Sequence, residues 1–121
     1  MKEEAYKKIL SDLESEINVE GSCIVSRDGI LIYSSLKDVY AEAFAAMLAT
    51  LLSSAEVAMD ELKAGVPKRV IVDGKNKKIV VVGAGSHALL ASITEENADE
   101  VYEAMIKAAK KIDKVLSGKN D

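Results

Sequence analysis

The chain of 121 residues has no tryptophan and only one each of phenylalanine, cysteine, proline and histidine. Its single cysteine, Cys23, excludes an internal disulfide and any metal site built from several cysteines. Its single histidine, His87, has no second ligand nearby in the sequence, so no metal site is expected. A net charge of −4 and few aromatic rings argue against non-specific nucleic-acid binding, which needs a basic surface and stacking side chains.

Long hydrophobic segments are also missing. No apolar run reaches the ~18 residues of a membrane span, and the N-terminus has basic residues without the apolar core of a signal peptide. Hydrophobic residues make up 49% of the chain and charged residues 30%, as in soluble globular proteins. We expect one cytoplasmic domain over residues 1–121, with a polar tail over 117–121 and no membrane insertion.

The most informative segment that is present is the uncharged run over residues 43–55, which contains neither proline nor glycine. A surface helix usually has one apolar stripe and one charged face. On a helical wheel, one face suits the core and carries Tyr40, Phe44, Met47, Leu48, Leu51, Ala55, Met59 and Leu62. The opposite face carries small or uncharged side chains, namely Val39, Ala46, Ala49, Thr50, Ser53 and Val57.

We interpret this second face as an interface, because an exposed helix face usually carries lysine and glutamate. The alternative is an alanine-rich face that is simply exposed, since alanine is the best helix former.

Apolar periodicity and turn residues predict three helices and five strands. Helices are expected over 3–17, from an N-cap at Asp38 to about 65, and over about 95–117 behind a Thr94 cap; strands are expected over 22–26, 30–35, 66–73, 78–84 and 88–94. The order α-β-β-α-β-β-β-α, with tight turns between most strands, predicts a five-stranded antiparallel sheet. Covered by the long middle helix on one face and the terminal helices on the other, it forms a three-layer α/β sandwich.

Motifs for catalysis are weak. The run Gly83-Ala84-Gly85-Ser86 superficially suggests phosphate binding, but it leads into a strand rather than a helix. Acidic pairs lie on polar helix faces, and Cys23 in an apolar strand is expected to be a buried, inert thiol. We therefore expect no enzyme activity, no catalytic residue and no cofactor. Arg27 is the one formal candidate for an arginine finger, with an ordinary turn residue as the favoured interpretation.

Several segments together resemble the roadblock family, the dynein light-chain group, whose fold is profilin-like. The first hairpin, over residues 19–35, and the alanine-rich helix after it are similar to the family's first hairpin and central helix. Residues 70–72, 78–82 and 87–91 resemble its last three strands. The resemblance covers nearly the whole chain.

This resemblance implies a homodimer in which central helices pack antiparallel and third strands pair edge to edge. It would place Val39, Ala46, Ala49, Thr50, Ser53 and Val57 at the helix seam, and Arg69 and Ile71 on the joining strand. It also implies that the dimer binds and regulates a small Ras-like GTPase. Two alternatives stay open: a small-molecule sensory domain, and a structural dimer without effect on GTP hydrolysis.

Overall fold

The computed structural model describes residues 2–118, so that most of the expected tail lies outside the described residues. Three helices and five strands follow one another in the predicted order. They are α1 (Lys2–Glu16), β1 (Gly21–Ser26), β2 (Leu31–Ser34), α2 (Ala41–Glu61), β3 (Val70–Asp73), β4 (Lys78–Ala84), β5 (Ala88–Thr94) and α3 (Ala98–Ser117).

The five strands form one antiparallel sheet in the order β2-β1-β5-β4-β3. The last strand in the chain, β5, is central, and Ala91 on it lies opposite Cys23 of β1 and Val81 of β4. The second and third strands are therefore the two edges. The predicted α-β-β-α-β-β-β-α sandwich is confirmed.

Each face of the sheet has its own hydrophobic core, because successive side chains on a strand point to opposite faces. One core joins Ile24, Val80 and Leu90 to helices α1 and α3. The other joins Val25 and Leu89 to α2. The long middle helix therefore covers one face alone, and the terminal helices share the other, as predicted.

Four predicted boundaries are wrong, and one of them is the end of α2, which lies at Glu61 rather than at about residue 65. The Asp38 N-cap is wrong, because α2 begins at Ala41 and its N-cap residue, Tyr40, has no side-chain capping bond. The cap of α3 is Asn97 rather than Thr94, and its side chain accepts bonds from two backbone N–H groups of the first turn. The third strand begins at Val70 instead of residue 66, since Pro67 has no N–H for strand pairing.

Candidate interaction surface

Helix α2 lies on the sheet through a narrow stripe of its surface. Ala45, Leu48, Ala49 and Leu52 are its buried residues. Met47, which the helical wheel placed towards the core, is 61% exposed, whereas Ala49, predicted on the outer seam, is only 7% exposed. In the structure α2 is therefore rotated about its own axis relative to the prediction. Ala49 belongs to the core of its own chain.

The β1–β2 hairpin explains why Ala49 and not Met47 faces the protein, because its turn lies against this part of α2. A Cβ atom added to Gly29 in the hairpin turn would lie 3.3 Å from Ala46 Cα and 3.6 Å from Ala49 Cβ. Small side chains at these two positions let the helix approach the turn closely. The small residues that suggested contact with another chain are therefore explained in part by contact within this one.

The outer surface of α2 carries no charged side chain between Glu42 and Asp60 except Glu56, which is half-buried. The exposed positions in this interval are Ala43, Ala46, Met47, Thr50, Ser53, Ser54, Val57 and Ala58. An uncharged exposed face of this length is unusual for a helix at the surface of a soluble domain.

Exposed large hydrophobic residues of the described chain are grouped around α2 and the edge strand β3. They lie on α2, on segments that adjoin it or on the edge strand β3, and are Ile30, Val39, Tyr40, Met47, Val57, Leu62, Val66, Ile71 and Val72. The exposed side chains of α1 and α3, in contrast, are mostly lysine, glutamate and aspartate. The molecule therefore has a hydrated side and an apolar side.

The exposed surface of α2 divides into two parts. Its β3 flank, towards the edge strand, carries the exposed Met47 and Ala58 and the half-buried Leu51, with the cap residues Tyr40 and Leu62 at the two ends of the helix. The grooves at the two ends of α2 indicate this direction, because Phe44 and Val72 line one of them and Ala58 and Val70 line the other. Its hairpin stripe, towards the β1–β2 turn, carries Ala46, Thr50, Ser53 and Val57. Gly29 lies against Ala46 on that side.

Strand β3 offers a free edge, since it pairs with β4 on one side only. Ile71 lies opposite Val80, whose side chain is in the core beneath α1 and α3, so Ile71 points away from α2. Arg69 points the same way: its guanidinium pairs with Asp99 at 3.1 Å and lies 4.5 Å from the ring centre of Tyr102. Both predicted residues of the joining strand are therefore on the sheet face opposite α2.

The guanidinium of Arg27, the formal candidate for an arginine finger, is hydrogen-bonded to other groups of the same chain. Its Nε donates to Ala88 O at 3.0 Å, its Nη2 to Gly85 O at 2.8 Å and its Nη1 to Glu56 Oε2 at 2.8 Å. A finger must reach out from an exposed loop into a partner's site. The position of Arg27 instead fits a structural residue, and sequence patterns had not suggested its link to Glu56.

The remaining reactive side chains do not converge on a site. Cys23 is buried in the core under α2, and burial raises the pKa of its thiol to about 12, which suppresses the reactive thiolate. His87 is exposed, and its ring Nδ1 lies 3.3 Å from the hydroxyl of the neighbouring Ser86. Among residues 2–118, no group of three or more histidine, cysteine, aspartate or glutamate side chains could hold a metal ion.

Two open grooves lie at the ends of α2. One, of about 620 Å³, lies between the start of α2 and the β3–β4 turn, with Phe44, Ile79 and Ile93 in its lining. The other, of about 880 Å³, lies between the end of α2, the segment before β3 and Tyr102 of α3. Both flank the apolar side of the molecule.

By length and composition, α2 is the one helix in the described part of the chain that could cross a membrane. This is a weak indication, because the core helix of a soluble protein passes the same test. Here the helix packs on a sheet through its buried stripe.

The comparisons with known proteins agree with this geometry. Residues 5–94 match the sequence profile of the Roadblock/LC7 domain. The chain is 30% identical over 108 residues to the uncharacterized protein MJ1340 of Methanocaldococcus jannaschii, covering 87% of this chain and 94% of that one. It is also 30% identical over 115 residues to MJ0714 of the same organism, covering 93% and 97%.

Solved structures show the same fold. A structure described as MglB with tetrameric arrangement has a TM-score of 0.88 at 16% identity, over 96% of this chain and 90% of that one. The gliding protein MglB of Thermus thermophilus has a TM-score of 0.87 at 15% identity, over 97% and 92%. A Roadblock/LC7 domain of Streptomyces avermitilis has a TM-score of 0.83 at 23% identity, over 91% and 96%. The chain belongs to the Roadblock/LC7 family.

Proposed function

We propose that the chain is a non-enzymatic, homodimeric interaction module of the cytoplasm that binds and regulates a small Ras-like GTPase. The observation that carries the proposal is the grouping of exposed apolar residues around α2 and the free edge of β3. Family membership supports the GTPase as partner, since roadblock dimers are platforms for such proteins. The regulation would be indirect, because no described residue group suggests catalysis by the chain itself.

The proposed dimer joins two β3 strands across a two-fold axis. An edge strand has unpaired N–H and C=O groups, and a second copy of the strand satisfies them. The strand contains Ile71, and Arg69 lies directly before its first residue, whereas Pro67 limits how far pairing extends. The total buried area expected for such a dimer is about 1,200–2,000 Å².

This pairing brings the β3 flank of α2 against the same flank of its mate, because the partner's helix approaches over the joined strands. Met47, Ala58 and Leu62 are exposed there and become buried in the dimer. The hairpin stripe, on the other side of α2, stays open.

We therefore propose that the β3 flank makes the dimer and that the hairpin stripe receives the GTPase, which revises the predicted role of Ala46, Thr50, Ser53 and Val57. Val39, which precedes α2 and lines the groove at its start, stays a candidate for the dimer seam.

Two matched substitutions on α2 test this division. Ala58→Arg places a charge on the β3 flank and Ser53→Arg places the same charge on the hairpin stripe, both at exposed helical positions. We expect Ala58→Arg to weaken the dimer by at least about 100-fold, because the seam would bury an unpaired charge. Sedimentation equilibrium should still find dimers for Ser53→Arg. Monomers for Ser53→Arg and dimers for Ala58→Arg would place the seam on the hairpin stripe instead.

The GTPase itself is tested with small Ras-like GTPases of the same organism, each loaded with GDP or a GTP analogue. We expect one of them to bind the wild-type dimer in one nucleotide state, and Ser53→Arg to reduce that affinity at least about tenfold. The GTPase assignment would be wrong if none bound in a nucleotide-dependent manner. Binding without any change in the rate of GTP hydrolysis would indicate the structural dimer.

A further inference from the structure

Glu56, the one charged residue of α2 between Glu42 and Asp60, forms an ion pair within the chain. Glu56 Oε2 accepts a bond from Arg27 Nη1 at 2.8 Å, and the two side chains are 33% and 27% exposed. Arg27 itself belongs to the β1–β2 turn, so this pair joins the helix to a hairpin on the sheet below it.

The same guanidinium also holds a second turn. Its Nε and Nη2 donate to the carbonyls of Ala88 and Gly85, which flank the β4–β5 turn. In addition, the Arg27 backbone N donates to His87 O at 3.1 Å within that turn. Three donors of one planar group thus connect α2, the β1–β2 turn and the β4–β5 turn.

Two glycines keep this arrangement open. A Cβ atom on Gly83 would lie 2.7 Å from Arg27 Nη2, closer than a non-bonded contact allows. Gly85 has φ +73°, which favours glycine, and a Cβ atom there would collide with the Asp113 carboxyl group of α3. The Gly-rich run that superficially suggested a phosphate site is therefore accounted for by the space that Arg27 and Asp113 occupy.

We propose that Arg27 is a positioning residue that locks α2 to the β4–β5 turn, so that the helix and the turn move together. The guanidinium suits this role because its donors have a fixed planar geometry and match several acceptors at once. A lysine ammonium is a point charge on a flexible stem and does not reproduce that geometry. The inference goes beyond the proposed function, because the lock is present in the chain without any partner.

Three substitutions break the lock in different ways. Glu56→Gln removes the charge on α2 at nearly constant shape, Gly83→Ala displaces the guanidinium without removing a charge, and Arg27→Lys removes the planar fork. The matched control is Asp12→Asn, which removes an ion pair of α1 whose side chains are 77% and 51% exposed.

The two readouts are backbone amide exchange in the second half of α2 and the NMR signals of the His87 ring. His87 is the only histidine, so its imidazole signals report on the β4–β5 turn without overlap. We expect Glu56→Gln and Arg27→Lys to raise the α2 exchange rates at least about fivefold and to shift the His87 signals. The control should change neither.

A double variant of Glu56→Gln with Gly83→Ala should be no more perturbed than the stronger single variant, because both break one connection. Additive effects would overturn the proposal. So would faster exchange in α2 with an unchanged His87 signal, which would reduce Glu56 to a local stabiliser of the helix. The measurements need no GTPase, so failure of the proposed function would leave this test intact.

Discussion

Small side chains on a helix surface can reflect packing within the chain as well as contact with a partner. Alanine at position 49 lies in the core under α2, and alanine at position 46 lies against the Gly29 turn. Both are small because the helix and the hairpin approach each other closely. Ala49→Arg would bury a charge inside the monomer and unfold it, so this variant cannot test an interface.

The thiol of Cys23 gives a prediction at the same scale. Burial raises its pKa from the ordinary 9.0 to about 12. Between these two values the unfolded chain has lost the thiol proton and the folded chain has kept it, so the free energy of unfolding falls with rising pH. The contribution of this group is about 1.4 kcal/mol per pH unit.

Urea unfolding curves from pH 8 to 11 measure this slope. Burial also raises the pKa of Tyr6, which contributes in the same direction, so the comparison with Cys23→Ala isolates the thiol. We expect a shallower slope for Cys23→Ala above pH 9 and slow reaction of native Cys23 with a thiol reagent at pH 8. Equal slopes for both proteins, or rapid native labelling, would show that the thiol is accessible.

Helices α2 and α3 differ in how the unpaired backbone groups at their ends are hydrogen-bonded. Helix α3 begins with an Asn97 side chain that accepts from Asp99 N at 2.8 Å and Glu100 N at 3.2 Å, and it ends at Gly118 with φ +71°. Helix α2 has neither a side-chain cap at its start nor a basic residue in its last turn. Compared with α3, helix α2 therefore depends more on packing against the sheet and, in the proposed dimer, against α2 of the partner subunit.

The cap of α3 can be tested directly. Asn97→Ala removes the acceptor of both bonds, and we expect the free energy of unfolding to fall by about 1 kcal/mol. Asn97→Asp keeps an acceptor at the helix start and should retain most of that stability. Chemical denaturation measures both variants. A loss for Asn97→Asp as large as that for Asn97→Ala would mean that the cap bonds do not stabilise the helix.

At the scale of the whole molecule, the two helix layers have opposite surfaces. Helices α1 and α3 bury apolar stripes and expose charges, whereas α2 exposes apolar residues beside the free edge of β3. Contiguous exposed apolar surface of this kind is typical of an interaction site.

Dimerisation predicts a melting temperature that depends on protein concentration, since association stabilises the folded state by mass action. We expect a rise of about 3–5 °C for each tenfold increase in concentration of the wild type. The Ala58→Arg variant should show no such dependence, while Ser53→Arg should behave like the wild type. A concentration-independent wild type that sediments as a monomer would contradict the dimer.

The sequence by itself determined the order of elements, the sheet type and the special nature of α2, because period, turn residues and charge are local properties of the chain. It did not determine which side of α2 meets the sheet. That depends on Gly29 contacting Ala46 from a distant hairpin. Nor could spacing show that Arg27 reaches Glu56, Gly85 and Ala88, since these residues meet only when α2 and both turns have packed on the sheet.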